Sequence, residues 1–294
     1  MKLSLMIEGQ EGVTWDQWVA LGQTTERAGL EGLFRSDHYR SIARGEPAGS
    51  LDAWATLAAL ATCTTRIRLG TMVSPVTFRP ASVLAKNVVT VDHISRGRVE
   101  LGVGAGWYEA EHMSYAFVFG TTRERLDELD SQLHEITRQW ADADDIWPKP
   151  YQQPRPPIIV GGRARPRTVS AAIRFADEYN TVSPTLSEAR ERATRLRRAA
   201  REAGRRPLSF SMMIPCVVGT DNSDVGERLA RWRTFSENPS AEPLLCGTVD
   251  EVASTLSDYA ETGVERAMLQ HLDHEDLEMI ELLGQLAKEV MSAH

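Results

Sequence analysis

The chain has 294 residues, 42% of them apolar and 25% charged, with 33 basic and 41 acidic side chains that leave a formal net charge of -8 at pH 7. That length holds one large α/β barrel or two ordinary domains, and the composition is that of a globular chain, not of a disordered or membrane one. The acidic balance argues against nucleic acid or an anionic membrane as a partner, and no apolar run approaches the roughly 18 residues of a membrane span.

The N-terminal Met1–Glu8 carries one lysine and a short apolar run before an acid, too little for a signal-peptide core, so it reads as the first strand of a cytoplasmic protein. That strand is Leu3–Ile7. Further strands are predicted at Gly32–Phe34, Ile67–Val73, Val99–Val103, Pro157–Val160, Glu178–Thr181, Ser209–Val218 and Arg266–Gln270, and several are continuously apolar, as strands buried on both faces are. Helices fill the intervals. Thr14 with Gln17, Thr121 with Glu124, Thr185 with Glu188 and Thr248 with Glu251 have the spacing of capping boxes, which satisfy free N–H groups at a helix start. Gly29, Gly204 and Gly263 follow helical segments where a left-handed residue ends the helix. In the last helix Leu277, Ile280, Leu283, Ala287 and Val290 recur on one face. The marked interruption is 141–157, rich in Asp and Pro, which reads as a long loop.

Strand and helix in alternation require crossover connections and hence parallel strands. Eight such units over this length predict a closed (β/α)8 TIM barrel spanning 1–294 as one domain with insertions in its βα loops; an open doubly wound sheet is the alternative. Cys63, Cys216 and Cys246 are far apart and lack metal-site or redox spacing, so they read as inert thiols, and no metal site is predicted.

In such a barrel chemistry sits where strands end. Glu8-Gly9, Ser36-Asp37-His38, Ser74-Pro75, Gly104-Ala105-Gly106-Trp107-Tyr108-Glu109, Gly161-Gly162-Arg163 and Gln270-His271 all fall there. The segment from Gly161 to Thr168 opens a helix whose free N–H groups, reinforced by Arg163, Arg165 and Arg167, form an anion site; a plain strand-to-helix turn with solvated arginines is the other reading. Gly104-Ala105-Gly106 lacks the third glycine and distal acid of a dinucleotide fingerprint, so NAD is set aside. A flat ring passing close to side-chain-free backbone suits it better.

With these segments in view, the chain resembles the bacterial luciferase-like flavin enzymes, and particularly the branch that uses the deazaflavin coenzyme F420. The resemblance is carried by Ser36-Asp37-His38, by 69–79 (LGTMVSPVTFR), by 97–112 (GRVELGVGAGWYEAEH), by Ile159–Gly162, by 176–180 (ADEYN) and by 247–252 (GTVDEV). It implies a ring across the barrel mouth, backed by a bulge with a non-proline cis peptide near Met72-Val73, and a homodimer packed through helices of the first half. The cofactor-binding set it implies is Ser36, Asp37, His38, Met72, Val73, Ser74, Gly104, Ala105, Gly106, Trp107, Gly161, Gly162 and Arg163, with the phosphate on the Gly-Gly pair. His38 is expected to handle the proton that accompanies hydride transfer. Asp37 would orient the loop or bond a ring edge, and Glu109 would assist catalysis or stay a rim carboxylate. Glu8, Tyr108 and His271 are expected around the substrate, with Trp107 and Tyr108 as its walls, whereas His93, His112, His134, His274 and His294 read as ordinary residues.

Three functions follow. The first is hydride transfer between F420 and a small organic substrate; F420 has a phosphodiester and a polyglutamyl tail, a demand for cations that the three arginines suit. The second is an FMNH2-dependent monooxygenase using O2, and the third a catalytically silent flavin-binding barrel. Substrate contacts are expected from 41–50, 111–120 and 238–246, with Arg40 and Arg44 available to an anionic substrate.

Overall fold

A computed structural model describes residues 1–42, 48–141, 145–235 and 242–292. Its barrel strands are β1 (Lys2–Ile7), β2 (Gly32–Arg35), β3 (Arg68–Thr71), β5 (Val99–Gly104), β6 (Ile158–Gly161), β7 (Glu178–Val182), β8 (Ser209–Gly219) and β10 (Arg266–His271), with two short extra strands, β4 (Ser74–Pro75) and β9 (Leu245–Thr248). Each barrel strand pairs in parallel with the next, and β10 bonds both β8 and β1, so the sheet closes. The (β/α)8 architecture is therefore the one adopted, and the open sheet is not.

Two strands differ from the pattern read in the sequence. The expected strand Ile67–Val73 stops at Thr71: the Met72-Val73 peptide is cis, and the chain then moves outward so that Ser74 pairs with Val103 as β4. The sequence does not reveal this, because Met72-Val73 reads as a continuation of the strand. The long β8 pairs with β7 on one side and divides its other pairings between two strands. Ser211–Pro215 pair with β10, whereas Cys216–Gly219 pair with β9, a strand not expected from the sequence.

Helices cover the outside: α1 (Trp15–Ala28), α2 (Ala53–Cys63), α3 (Ala81–Ser95), α4 (Glu109–Ser114), α5 (Thr122–Trp140), α6 (Pro166–Phe175), α7 (Leu186–Glu202), α8 (Asn222–Phe235), α9 (Val249–Thr262) and α10 (Leu277–Ser292). Thr14, Thr121 and Thr185 complete both bonds of their capping boxes, and the Glu251 carboxylate accepts from the N–H and hydroxyl of Thr248. Gly29 and Gly263 end α1 and α9 at φ 85° and 104°, where a side chain would be strained. No helix among the described residues is long and apolar enough to cross a membrane.

Strand alternation divides the core. In β1, Leu3, Leu5 and Ile7 face the helices, while Met6 points into the barrel beside Phe34, Met72, Ile159 and Met268. At the opposite end from the mouth the lumen is sealed by ions. Arg266 bonds Glu178 and, at 2.7 Å, Glu100, which also accepts from Arg68 at 2.7 Å. Burial, opposed by Arg266 and reinforced by the Glu100 charge, pushes Glu178 up to about 7; the same burial at Glu100 is overcome by Arg266 and Arg68, which hold it below the usual carboxylate range.

Candidate active site

The mouth is built from strand ends, beginning with β2. Arg35, its last residue, is fully buried and spends its guanidinium on Thr56, Ser50, the Leu51 carbonyl and the face of Trp18. Burial, partly offset by the Asp37 and Asp52 charges, pulls its pKa down to about 10. Ser36 accepts from the Gly9 N–H at 2.9 Å and donates to Gln10, so it ties the β1 and β2 ends together.

Asp37 is 2% exposed and accepts from Ser74 Oγ at 2.6 Å and from Arg79 Nη1 at 2.6 Å. Arg79 also reaches Asp52 at 2.7 Å and the Tyr39 hydroxyl at 3.1 Å, while Trp54 donates to Ser74. Asp37 is thus the buried anchor of a network joining the ends of β2 and β4, with both its oxygens engaged. That geometry suits the loop-orienting part of its expected role.

His38 stands differently. Its Nδ1 lies 2.8 Å from Glu111 Oε2, and its ring meets Trp107 and Tyr108 edge-on at 6.0 and 6.3 Å. Glu111 is wholly buried, and its other oxygen accepts from the backbone N–H of Tyr39 and of Arg40, so one carboxylate fixes the whole 38–40 turn. A carboxylate can only accept, which places the proton on Nδ1 and leaves Nε2, unbonded among the described residues, to exchange a proton at the mouth. Burial lowers the His38 pKa, but the hydrogen bond and charge of Glu111, helped by Glu8 and Asp37, outweigh it and hold the pKa above the ordinary histidine value.

Glu8 reaches the same face and accepts from Gln270 and, at 2.9 Å, from Gln10. Trp107 stacks on Tyr108 at 5.3 Å and is 63% exposed, which puts the pair at the rim. Two expected site residues have other surroundings. Glu109 is the exposed first residue of α4, and His271 is 1% exposed with Nε2 on the Asp276 carbonyl at 3.1 Å. His112 is less ordinary than its sequence context implies: it is buried, with Nδ1 on the Tyr108 carbonyl and Nε2 on Thr77 Oγ1, both at 2.7 Å.

The floor is formed around Val73. A Cβ on Gly102 would lie 1.9 Å from the Thr71 carbonyl oxygen, and one on Gly104 or Gly161 would lie 2.7 or 3.0 Å from the Val73 methyls. Those positions need glycine to seat the Val73 bulge, which the partly exposed Val73 then presents to the mouth. Beside it α6 begins at Pro166 with no side-chain cap, and the nearby Arg163 and Arg165 are exposed.

The description Luciferase-like monooxygenase fits residues 3–244 of this chain. The chain belongs to that family. It is 32% identical over 228 residues to an uncharacterized protein of Mycobacterium tuberculosis, covering 72% of this chain and 74% of the relative. It is 29% identical to the F420-dependent hydroxymycolic acid dehydrogenase of the same organism, covering 71% of this chain and 61% of that protein. It is 26% identical over 258 residues to the pyrimidine monooxygenase RutA of Yersinia enterocolitica, covering 81% and 67%. An F420-dependent secondary alcohol dehydrogenase structure superposes with a TM-score of 0.81 over 98% of both chains at 17% identity, a likeness of fold alone. Members of the luciferase-like family are F420- or flavin-dependent oxidoreductases and monooxygenases, and this chain is an enzyme of that kind.

A flavin-type ring fits this luciferase-like mouth. Val73 and Met72 offer an apolar backing, and the uncapped α6 terminus offers free N–H groups to a phosphate. Sequence reasoning assigns Glu111 and Arg79 no individual role, although 69–79 and 97–112 carry the resemblance and substrate contacts are expected from 111–120. Glu111 sits two residues from Glu109 in the same helical turn, and spacing alone does not choose between them. Arg44 and 238–241 fall outside the described residues, whereas Arg40 donates to Ser114 at 2.8 Å.

Proposed function

We propose that this protein is an F420-dependent oxidoreductase in which His38 handles the proton that accompanies hydride transfer to or from a small organic substrate. The observation that carries the reading is the His38–Glu111 pair: a ring held by a buried carboxylate on one nitrogen, with the other nitrogen open at the barrel mouth. When bound, the deazaflavin supplies the hydride acceptor or donor. The protein's residues do the rest. Nε2 takes the proton from a substrate hydroxyl, or returns it, while Glu111 stabilises the imidazolium and keeps the ring in register. Trp107 and Tyr108 wall the substrate and thin the water around His38. Glu8, held by Gln10 and Gln270, adds negative charge that favours the protonated ring. Met72 and Val73 would back the coenzyme, and Arg163 with the α6 terminus would take its phosphate.

Similarity to a dehydrogenase named as F420-dependent supports this choice of coenzyme, as do the exposed arginines at the α6 entrance. A second reading, an FMNH2-dependent monooxygenase, draws on the longer match to a pyrimidine monooxygenase. Fluorescence titration separates them: F420 is expected to bind, and tight FMN binding with no F420 binding overturns the assignment. His38→Ala is expected to retain coenzyme and lose turnover. Full activity in that variant removes His38 from the chemistry.

A further inference from the structure

Residues 163–206 hold twelve arginines against five acids, in a chain whose overall charge is -8. The charge is concentrated beside α7. A surface cavity of about 460 Å³ runs along that helix, lined by Ser187, Arg190, Glu191, Thr194, Arg195 and Arg198. Within it Arg195 donates to the Ala164 carbonyl at 3.0 Å, so the groove borders the β6–α6 loop that follows Gly161-Gly162. Some of its charge is already matched: Arg195 pairs with Glu191, and Arg198 lies 3.6 Å from Glu202. Arg190, like Arg163 and Arg165 on the approach, has no ion pair among the described residues. Glu191 is the single acid in the lining, and Arg195 holds it.

An isolated helix does not require this arrangement, since alternating charges would serve solubility at less mutual repulsion. We propose that the α7 groove is a subsite for a flexible oligo-carboxylate, the glutamyl tail of the deazaflavin coenzyme. The proposal rests on the F420 reading above. With the phosphate at the α6 terminus, the tail leaves the mouth past Arg163 and enters the groove at Arg195. Its carboxylates then meet Arg195 and the flanking Arg190 and Arg198, with Ser187 as a neutral donor. A tail carries one negative charge per residue, and a groove with several cations along its length binds it without needing one fixed geometry. The interaction is exposed and therefore salt-sensitive.

The test compares F420 bearing several glutamates with F420 trimmed to none, by fluorescence titration at low and high salt. Two proteins are used: the natural one, and a variant carrying both Arg190→Ala and Arg198→Ala, exposed positions outside the catalytic mouth. For the natural protein the long-tailed form is expected to bind roughly ten-fold more tightly at low salt, the sum of a few exposed ion pairs. That preference should shrink at high salt and vanish in the double variant, with affinity for the trimmed form unchanged. Equal affinity for both forms in the natural protein overturns the subsite, as does a preference that survives in the double variant. Failure of both forms to bind overturns the coenzyme assignment itself, and the subsite with it.

Discussion

Replacing Glu111 by Gln is the sharpest probe of the site, because it changes charge while conserving shape. In the native geometry Oε1 accepts from Tyr39 and Arg40, and Oε2 accepts from His38. A glutamine keeps its oxygen toward the two backbone N–H groups, which places its NH2 against Nδ1. Nδ1 must then accept, so the neutral ring carries its proton on Nε2, the wrong atom for taking one from substrate. The protonated ring loses a charge-assisted bond, about 1.5–3 kcal/mol, and meets a donor instead. Burial, already the largest influence on His38, is left without its main counterweight, and the pKa falls.

Turnover is therefore expected to drop by about 10²–10⁴-fold, with coenzyme affinity little changed. The stability change carries a sign that can be checked. A folded-state pKa held above that of the unfolded chain stabilises fully below the unfolded value, near 6.5, and that stabilisation is lost as pH rises through the folded value. The cost of Glu111→Gln measured by urea denaturation should therefore be larger at pH 5.5 than at pH 8.5. The ring titration, followed by NMR and assigned with His38→Ala, should move down. An unchanged titration midpoint, or a cost independent of pH, refutes the reasoning.

Arg79→Met leaves the buried Asp37 with Ser74 as its remaining side-chain donor and only the Arg35 charge nearby, so a loss of about 3–5 kcal/mol is expected in chemical denaturation; a loss under 1 kcal/mol would show that the network is not under that demand. Glu178, pushed up to about 7, has the same pH sign as His38 in a lower window: the unfolded chain ionises first, so stability falls between about pH 4.5 and 7 and levels above. Glu178→Gln should flatten that decline by on the order of 1–3 kcal/mol, read from denaturation midpoints across the range. Gly102→Ala drives a Cβ into the Thr71 carbonyl and is expected to cost about 3 kcal/mol and to weaken coenzyme binding through Val73, whereas an unshifted thermal midpoint contradicts the close contact.

Local chemistry made much of this protein readable. Capping boxes act over three residues and left-handed glycines over one, so helix starts and stops are written where they occur. Continuous apolar strands alternating with amphipathic helices specify parallel pairing, and parallel pairing in eight units closes a barrel. Closure then nominates the strand ends, which is how Ser36-Asp37-His38 stood out before any contact was known. The break at Met72-Val73 came from resemblance instead, since an apolar run looks the same whether its strand continues or steps outward.

Pairings across the mouth were decided by the tertiary structure. Glu109 and Glu111 are near-equivalent as text, yet two residues of helix separate their directions by about 200°. One faces solvent and the other reaches His38 across 73 residues of chain. Asp37 likewise became an anchor, not a free acid, because Arg79 arrives from 42 residues away. Periodicity determines which face of an element is buried. Which charge meets which inside is set by the register of strands and the phase of helices, and these exist only once the barrel has closed.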